Sequence, residues 1–199
     1  MNKRNSSPLA DSLKQTVSLQ DLTKLLKIPD DWDFLLVSDG SATTWEHEAG
    51  CSAVLVDHNK RGVYPLCKVF AASFSCGTNI LAEIMAVVHP LLWLASQTWK
   101  GFRRVHVLTD CEMVAKCGNK VMTMKAHREL WLLLHSFEHR GMIVRYHWIP
   151  RDVLPANQLA HAVANRARRW AKDFFIDQVC DELVALRLPG LQSIIPSAV

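Results

Sequence analysis

Three carboxylates lie where predicted secondary-structure elements begin or end. Asp39 follows an apolar run at 34–37, and Asp110 follows a second apolar run at 105–108. Glu83 lies in the first turns of a predicted helix. Carboxylates that meet at one spot repel each other unless a cation neutralises them, and hard divalent ions such as Mg²⁺ prefer oxygen ligands. Two such ions about 3.5–4 Å apart activate a water and stabilise a leaving oxygen in phosphodiester hydrolysis.

The predicted elements that carry these acids follow the order β-β-β-α-β-α-α-β-α. Apolar runs and turn residues predict strands at 34–37, 51–56, 63–74, 105–108 and 142–149, and helical spacing predicts helices from 79, at 111–116, at 126–140 and from 155 or 156 past 170. Parallel neighbours joined through a helix end side by side, so both aspartates are expected at one edge of the sheet. Each acid alone is more often a turn former or a helix cap, so the interpretation depends on the three together.

Composition agrees with one folded α/β domain. The chain has 199 residues, of which 49% are hydrophobic and 21% charged. We expect an N-terminal extension over residues 1–32 with one short helix at 18–27, a domain over 33–175 and a C-terminal tail over 176–199. The net charge of +4 permits a polyanionic partner without requiring one.

The cysteines and the apolar segments indicate the cellular compartment in which the chain is expected to fold. The six cysteines form no CxxC pair, which disfavours a cysteine zinc site and a dense disulfide framework. Buried free thiols are typical of a reducing intracellular compartment, the cytoplasm or nucleus, with an organelle left open. The sequence shows no secretory signal. It also shows no stretch of the about 18–20 apolar residues that a membrane span needs, so we expect no membrane partner.

Three short motifs resemble one family. The segments 38–41 (SDGS), 77–83 (GTNILAE) and 109–111 (TDC) are similar to the motifs of type 1 ribonuclease H, most closely its reverse-transcriptase-associated, retroelement-like branch. Segments 147–151 (HWIPR) and 157–165 (NQLAHAVAN) resemble the family's closing strand and helix. The resemblance covers about residues 34–169 and implies a ribonuclease H-like fold: a five-stranded mixed sheet flanked by helices.

The resemblance also implies an activity. Family members are metal-dependent endonucleases that hydrolyse the RNA strand of RNA/DNA hybrids with two ions, Mg²⁺ or Mn²⁺. By position, the catalytic, metal-binding residues are Asp39, Glu83, Asp110 and His161. His161 stands where the family pattern has an aspartate, and a neutral imidazole binds Mn²⁺ or Zn²⁺ more readily than Mg²⁺.

Contacts to nucleic acid are expected from hydroxyl, amide and guanidinium groups along a phosphate track. The candidates are Ser41, Asn79, Arg151 and Asn157. By resemblance, Asn79 and Asn157 occupy positions at which family members touch nucleic-acid strands. Ser41 follows the Asp-Gly turn and offers a hydroxyl or amide to a phosphate.

The sequence is also compatible with two other functions. One is a catalytically weak or inactive ribonuclease H-like module that binds nucleic acid or protein, which the histidine at position 161 favours. The other is a different nuclease of the same fold, such as a resolvase, which the Thr78-Asn79 helix start disfavours. The terminal extensions are candidate docking segments for a protein partner, and the sequence does not specify an oligomeric state.

Overall fold

A five-stranded mixed sheet is the centre of the fold. The computed structural model describes residues 19–43, 48–57, 67–75, 78–97, 101–151 and 153–170. In chain order the elements are α1 (Leu19–Leu25), β1 (Phe34–Ala42), β2 (Glu48–Asp57), β3 (Cys67–Ser75), α2 (Asn79–Ser96), β4 (Arg103–Thr109), α3 (Glu112–Gly118), α4 (Arg128–Ser136), a 3₁₀ turn (Phe137–Arg140), β5 (Met142–Trp148) and α5 (Pro155–Trp170). The predicted order of elements is confirmed.

The sheet order is β3-β2-β1-β4-β5. Strand β2 runs antiparallel to both β1 and β3, whereas β4 runs parallel to both β1 and β5. The two strands that precede the aspartates are therefore central, parallel neighbours, as their continuous apolar runs predict for strands buried on both faces.

Helices cover the two faces of the sheet and enclose two apolar cores. Helix α5 lies against β1, β2 and β3 on one face, and helices α2, α3 and α4 pack on the other. Leu22, Ile28 and Trp32, which belong to the predicted N-terminal extension, are buried in the core beneath α5. The predicted tail at 176–199 lies outside the described residues.

Several elements differ from their predicted bounds, and two of these differences have a clear structural cause. Strand β1 continues to Ala42, past the predicted end at Val37, because β2 pairs with it along its full length. The predicted helix at 126–140 begins only at Arg128, since His127 has a left-handed backbone with a φ of 57°. The last turn of the predicted helix is a 3₁₀ turn that ends at Gly141. The φ of Gly141 is 79°, a value that glycine adopts easily because it has no Cβ atom.

Helix α2 is the long apolar helix of the fold. By length and composition alone it could cross a membrane, contrary to the expectation that no stretch of the chain is long and apolar enough. About half of it is buried inside the protein, including Glu83 and the internal Pro90. Its apolar character is that of a core helix packed against a sheet.

Candidate active site

The register of the central strands brings Asp39 and Asp110 together. The parallel ladder between β1 and β4 ends at the pair Ser38 and Thr109, and the two aspartates each follow by one residue. Asp39 still lies within β1, because it pairs with Ser52 of β2 on its other side. The predicted meeting of both side chains at one edge of the parallel ladder is thus observed.

Helix α2 brings the third carboxylate to the same place. The helix begins after Thr78, whose Oγ1 accepts a hydrogen bond from the Leu81 N–H at 3.2 Å. Gly40 lets the first turns of α2 approach β1 closely, since a Cβ at this position would lie 2.4 Å from the backbone nitrogen of Glu83. Ligand oxygens of Asp39, Glu83 and Asp110 all lie within 4.8 Å of one another.

These carboxylates are buried and incompletely satisfied. Asp39 is 0% exposed and Glu83 is 7% exposed. One oxygen on each acid is buried without a hydrogen-bond partner among the described residues: Oδ1 of Asp39, Oε2 of Glu83 and Oδ1 of Asp110. Buried anionic oxygens that lack donors are costly unless a cation takes them as ligands. The donor set therefore fits a hard divalent cation.

Burial and mutual repulsion change the pKa values of two of these acids. The pKa of Asp39 is raised to about 6, chiefly by burial and then by the neighbouring charge of Asp110. The pKa of Glu83 is raised to about 9, chiefly by burial and then by Asp39 and Asp110. Both pKa shifts mean that the three carboxyl groups resist being ionised together. A bound cation would favour their ionised form.

Two cationic or hydrogen-bonding side chains contact the cluster. The Nε–H of Arg151 donates to Oδ2 of Asp110 at 2.7 Å, and this ion pair raises the pKa of Arg151 further. His161 of helix α5 places its Nδ1 atom 3.1 Å from Oδ2 of Asp39. Both predicted site residues are therefore at the cluster, and each contacts one of the two aspartates.

The other predicted nucleic-acid contacts differ in their exposure. Asn79 is exposed at the start of α2, and its Oδ1 accepts a hydrogen bond from the Ala42 N–H at 2.9 Å. Ser41 lies in β1, and its hydroxyl donates to Oδ1 of Asn165 at 2.8 Å. Asn157 is only 1% exposed in the first turn of α5, so its contact to nucleic acid stays a prediction of the sequence.

Asn165 is a site residue to which the sequence reading gave no role. Its side chain touches both Ser41 and His161. The signal that was available is its spacing, because residues 161 and 165 are one helical turn apart and must share a face of α5.

Comparison with known families identifies the fold family. The family model described as reverse transcriptase-like matches residues 37–167. The chain belongs to this reverse transcriptase-like family. The matched range contains most of β1, the other four strands and most of α5, so it covers every residue of the carboxylate cluster. No curated protein sequence matches the chain.

Solved structures similar to this reverse transcriptase-like chain include several ribonucleases H. The N-terminal RNase H domain of Rv2228c from Mycobacterium tuberculosis has a TM-score of 0.55 at 21% identity, covering 69% of this chain and 94% of that one. RNase H1 from Halobacterium salinarum has a TM-score of 0.55 at 20% identity, with 67% and 96% covered. LC11-RNase H1 in complex with an RNA/DNA hybrid has a TM-score of 0.50 at 20% identity, with 69% and 98% covered. The predicted ribonuclease H-like fold is confirmed.

Proposed function

We propose that this chain is a metal-dependent endonuclease that hydrolyses the RNA strand of RNA/DNA hybrids. The observation that carries the proposal is the meeting of Asp39, Glu83 and Asp110, each with a buried carboxylate oxygen that has no donor within the part of the chain that the structure describes. A purely structural cluster would be expected to satisfy these oxygens with protein hydrogen bonds.

The three carboxylates would hold two divalent ions, Mg²⁺ or Mn²⁺. Bound there, such ions supply an activated water and charge stabilisation for the leaving oxygen in phosphodiester hydrolysis. The chain itself provides a rigid frame, since Asp39 and Asp110 come from neighbouring strands and Glu83 from a helix seated on Gly40. Catalytic groups on strands and helices are held more accurately than groups on loops.

Side chains around the cluster would guide a nucleic acid to it. Asn79 and Arg151 are exposed beside the carboxylates, and Ser41 lies on the same strand as Asp39. Guanidinium and amide groups bind phosphate oxygens and so position a backbone without reading its sequence. An RNA/DNA hybrid is the ligand of the similar LC11-RNase H1 structure, which favours the same class of substrate here.

Two observations favour the alternative, a ribonuclease H-like module that binds nucleic acid or protein with weak or no catalysis. Arg151 already pairs with Oδ2 of Asp110, which leaves the cluster less negative than three free carboxylates would be. The His161 position adds no fourth acid. Both features weaken the attraction for a second cation.

The test is a cleavage assay with the purified full chain. A hybrid labelled on each strand in turn is incubated with Mg²⁺ and, separately, with Mn²⁺, beside double-stranded RNA and branched DNA. We expect cleavage of the RNA strand of the hybrid only, lost in Asp39→Asn. The matched control is Asp30→Asn, an exposed aspartate outside the cluster, which should cleave normally.

The outcomes separate the three functions. Cleavage of branched DNA instead of hybrid would indicate a resolvase-like nuclease. Absence of cleavage with either ion, from protein that circular dichroism shows to be folded, would overturn the proposal. A hybrid-binding titration on that same folded protein would then test the binding module.

A further inference from the structure

A chain of side-chain hydrogen bonds connects helix α5 to the carboxylate cluster. Oδ1 of Asn165 accepts from the Ser41 hydroxyl at 2.8 Å and from Nη2 of Arg168 at 3.4 Å. Nδ2 of Asn165 lies 3.0 Å from the backbone oxygen of His161 and 3.0 Å from Nε2 of its ring. The other ring nitrogen, Nδ1, lies 3.1 Å from Oδ2 of Asp39.

The neighbours of Asn165 decide which way its amide points. Arg168 can only donate, so it must face the amide oxygen, and the backbone oxygen of His161 can only accept, so it must face the amide nitrogen. The opposite orientation would set donor against donor and acceptor against acceptor. The amide assignment therefore follows from two obligate partners and not from the ring of His161 itself.

That orientation determines the tautomer of His161. An amide nitrogen only donates, so Nε2 of His161 must be the acceptor and carry no proton. The ring proton is then on Nδ1, from which it donates to the fully buried Asp39 carboxylate. In this arrangement the lone pair of Nε2 is engaged by Asn165, and Nδ1 has no lone pair with which to bind a cation.

We propose that Asn165 is a positioning residue that holds His161 as the Nδ1–H tautomer, so that His161 orients Asp39 by a hydrogen bond and is not a metal ligand. The inference deepens the proposed function and rests on it for its catalytic meaning. His161 was predicted to be a metal ligand, and the inference makes it a hydrogen-bond donor instead. Its hydrogen bond to one oxygen of Asp39 determines which oxygen remains available to a cation, as partners of metal-binding carboxylates do.

The first test is nuclear magnetic resonance of the metal-free protein without nucleic acid. Long-range ¹H–¹⁵N spectra of the histidine rings identify which nitrogen carries the proton, and the His161 signals are assigned by their loss in His161→Asn. We expect the Nδ1–H form. A predominantly Nε2–H ring at position 161 would overturn the inference, whether or not the protein cleaves hybrid.

Substitutions of Asn165 test whether its amide determines the tautomer of His161. Asn165→Asp places an acceptor beside Nε2, so a proton should appear on that nitrogen in the same spectra. Asn165→Ala removes the donor that faces Nε2, so some of the Nε2–H form should appear beside the Nδ1–H form that the Asp39 carboxylate still favours. Arg169→Gln, an exposed change on the same helix, should leave the ring spectrum unaltered. An unchanged His161 tautomer in folded Asn165→Asp and Asn165→Ala would refute the role of Asn165.

Binding of Mn²⁺ alone separates a donor from a ligand at position 161. The amide of His161→Asn can still donate from the position of Nδ1, whereas His161→Leu cannot donate. Because outer partners of metal ligands typically contribute about 10–100-fold in affinity, we expect Leu to weaken Mn²⁺ binding about tenfold and Asn to change it less than about threefold. Equal large losses in both variants would identify His161 as a ligand and overturn the inference.

Discussion

The Nε atom of Arg151 lies 2.7 Å from Oδ2 of Asp110, so a protein cation already occupies part of the candidate metal site. The side chain of Arg151 is 57% exposed and that of Asp110 only 6% exposed, so the arginine spans from solvent to a buried carboxylate. This geometry gives Arg151 two opposing effects. It neutralises the cluster when no divalent ion is bound, and it presents a guanidinium where a phosphate would approach.

Removal of that charge should strengthen metal binding and weaken hybrid binding. In Arg151→Gln, Mg²⁺ no longer competes with a guanidinium for Asp110, and we expect its affinity to rise by a few fold, because solvent screens so exposed a charge. Isothermal titration with Mg²⁺ measures this, and the KM for hybrid should rise in the same variant. Arg140→Gln, an exposed arginine on the 3₁₀ turn, is the control. Weaker Mg²⁺ binding in Arg151→Gln would contradict the prediction.

The close approach of α2 to β1 at Gly40 should be essential for activity. A Cβ there would lie 2.4 Å from the backbone nitrogen of Glu83 and 2.6 Å from the carbonyl carbon of Ala82. Backbone atoms cannot rotate away, so Gly40→Ala must shift the helix and Glu83 with it, at a cost of about 1–3 kcal/mol in the free energy of unfolding. We expect loss of metal binding and of cleavage in a protein that still folds.

A matched glycine change distinguishes the site from general destabilisation. At Gly118 a Cβ would lie 2.5 Å from Cγ of Tyr146, in the core on the side of α3 and away from the carboxylates. Gly118→Ala should therefore lower the melting temperature comparably while keeping Mg²⁺ binding. If both variants retained or both lost Mg²⁺ binding, the argument for Gly40 would fail.

Much of the fold could be predicted because its signals are local. Continuous apolar runs mark β1 and β4 as buried central strands, and helical spacing marks α2 and α5. The meeting of Asp39 and Asp110 then follows from parallel topology alone, since helix-joined parallel strands end at the same edge.

The remaining details depend on three-dimensional packing. Gly40 carries no side chain, so only the structure shows that its missing Cβ seats α2. The pairing of Arg151 with Asp110 depends on the path of a loop, and the burial of Trp32 depends on how α1 folds back on the sheet. The tautomer of His161 depends on the orientation of the Asn165 amide, which Arg168 and the backbone oxygen of His161 determine together and no single motif contains.

A histidine pair away from the candidate site should make stability depend on pH. Nδ1 of His106 lies 2.8 Å from Nε2 of His147, and the two rings are stacked on neighbouring strands. Burial lowers the pKa of both, that of His147 to about 4 with a further contribution from His106. The nearby charges act on His106 in opposite directions: Asp31 raises its pKa and Arg145 lowers it.

The sign of this dependence follows from proton uptake by the unfolded chain. Unfolded histidine titrates near pH 6.5. From about pH 6.5 down towards pH 4 the unfolded chain takes up protons that the folded pair excludes, so stability is present above this window and is lost as the pH falls. We expect His147→Gln, whose amide can keep the bond to His106, to show a smaller drop in melting temperature between pH 7 and pH 5. His139→Gln, an exposed histidine, should drop like the parent, and an equal drop in His147→Gln would contradict the prediction.

A fourth carboxylate at position 161 should make the fold more dependent on metal. His161→Asp removes the donor that faces Oδ2 of Asp39 and adds a negative charge beside a fully buried acid whose pKa is already raised to about 6. Without metal the melting temperature should fall by a few degrees, since about 1 kcal/mol corresponds to about 2–4 °C for a domain of this size. Saturating Mg²⁺ should then raise it more than in the parent protein, because ligands that bind only the folded state stabilise it by mass action.

Thermal denaturation with and without Mg²⁺ measures both effects in one experiment. His139→Asp adds the same charge at an exposed position and should change neither melting temperature appreciably. If metal-free His161→Asp were as stable as the parent, the hydrogen bond from His161 would contribute nothing to holding Asp39. If the loss appeared but Mg²⁺ did not reverse it, the added acid would lie too far from the cation to share it, and position 161 would act on the site only through Asp39.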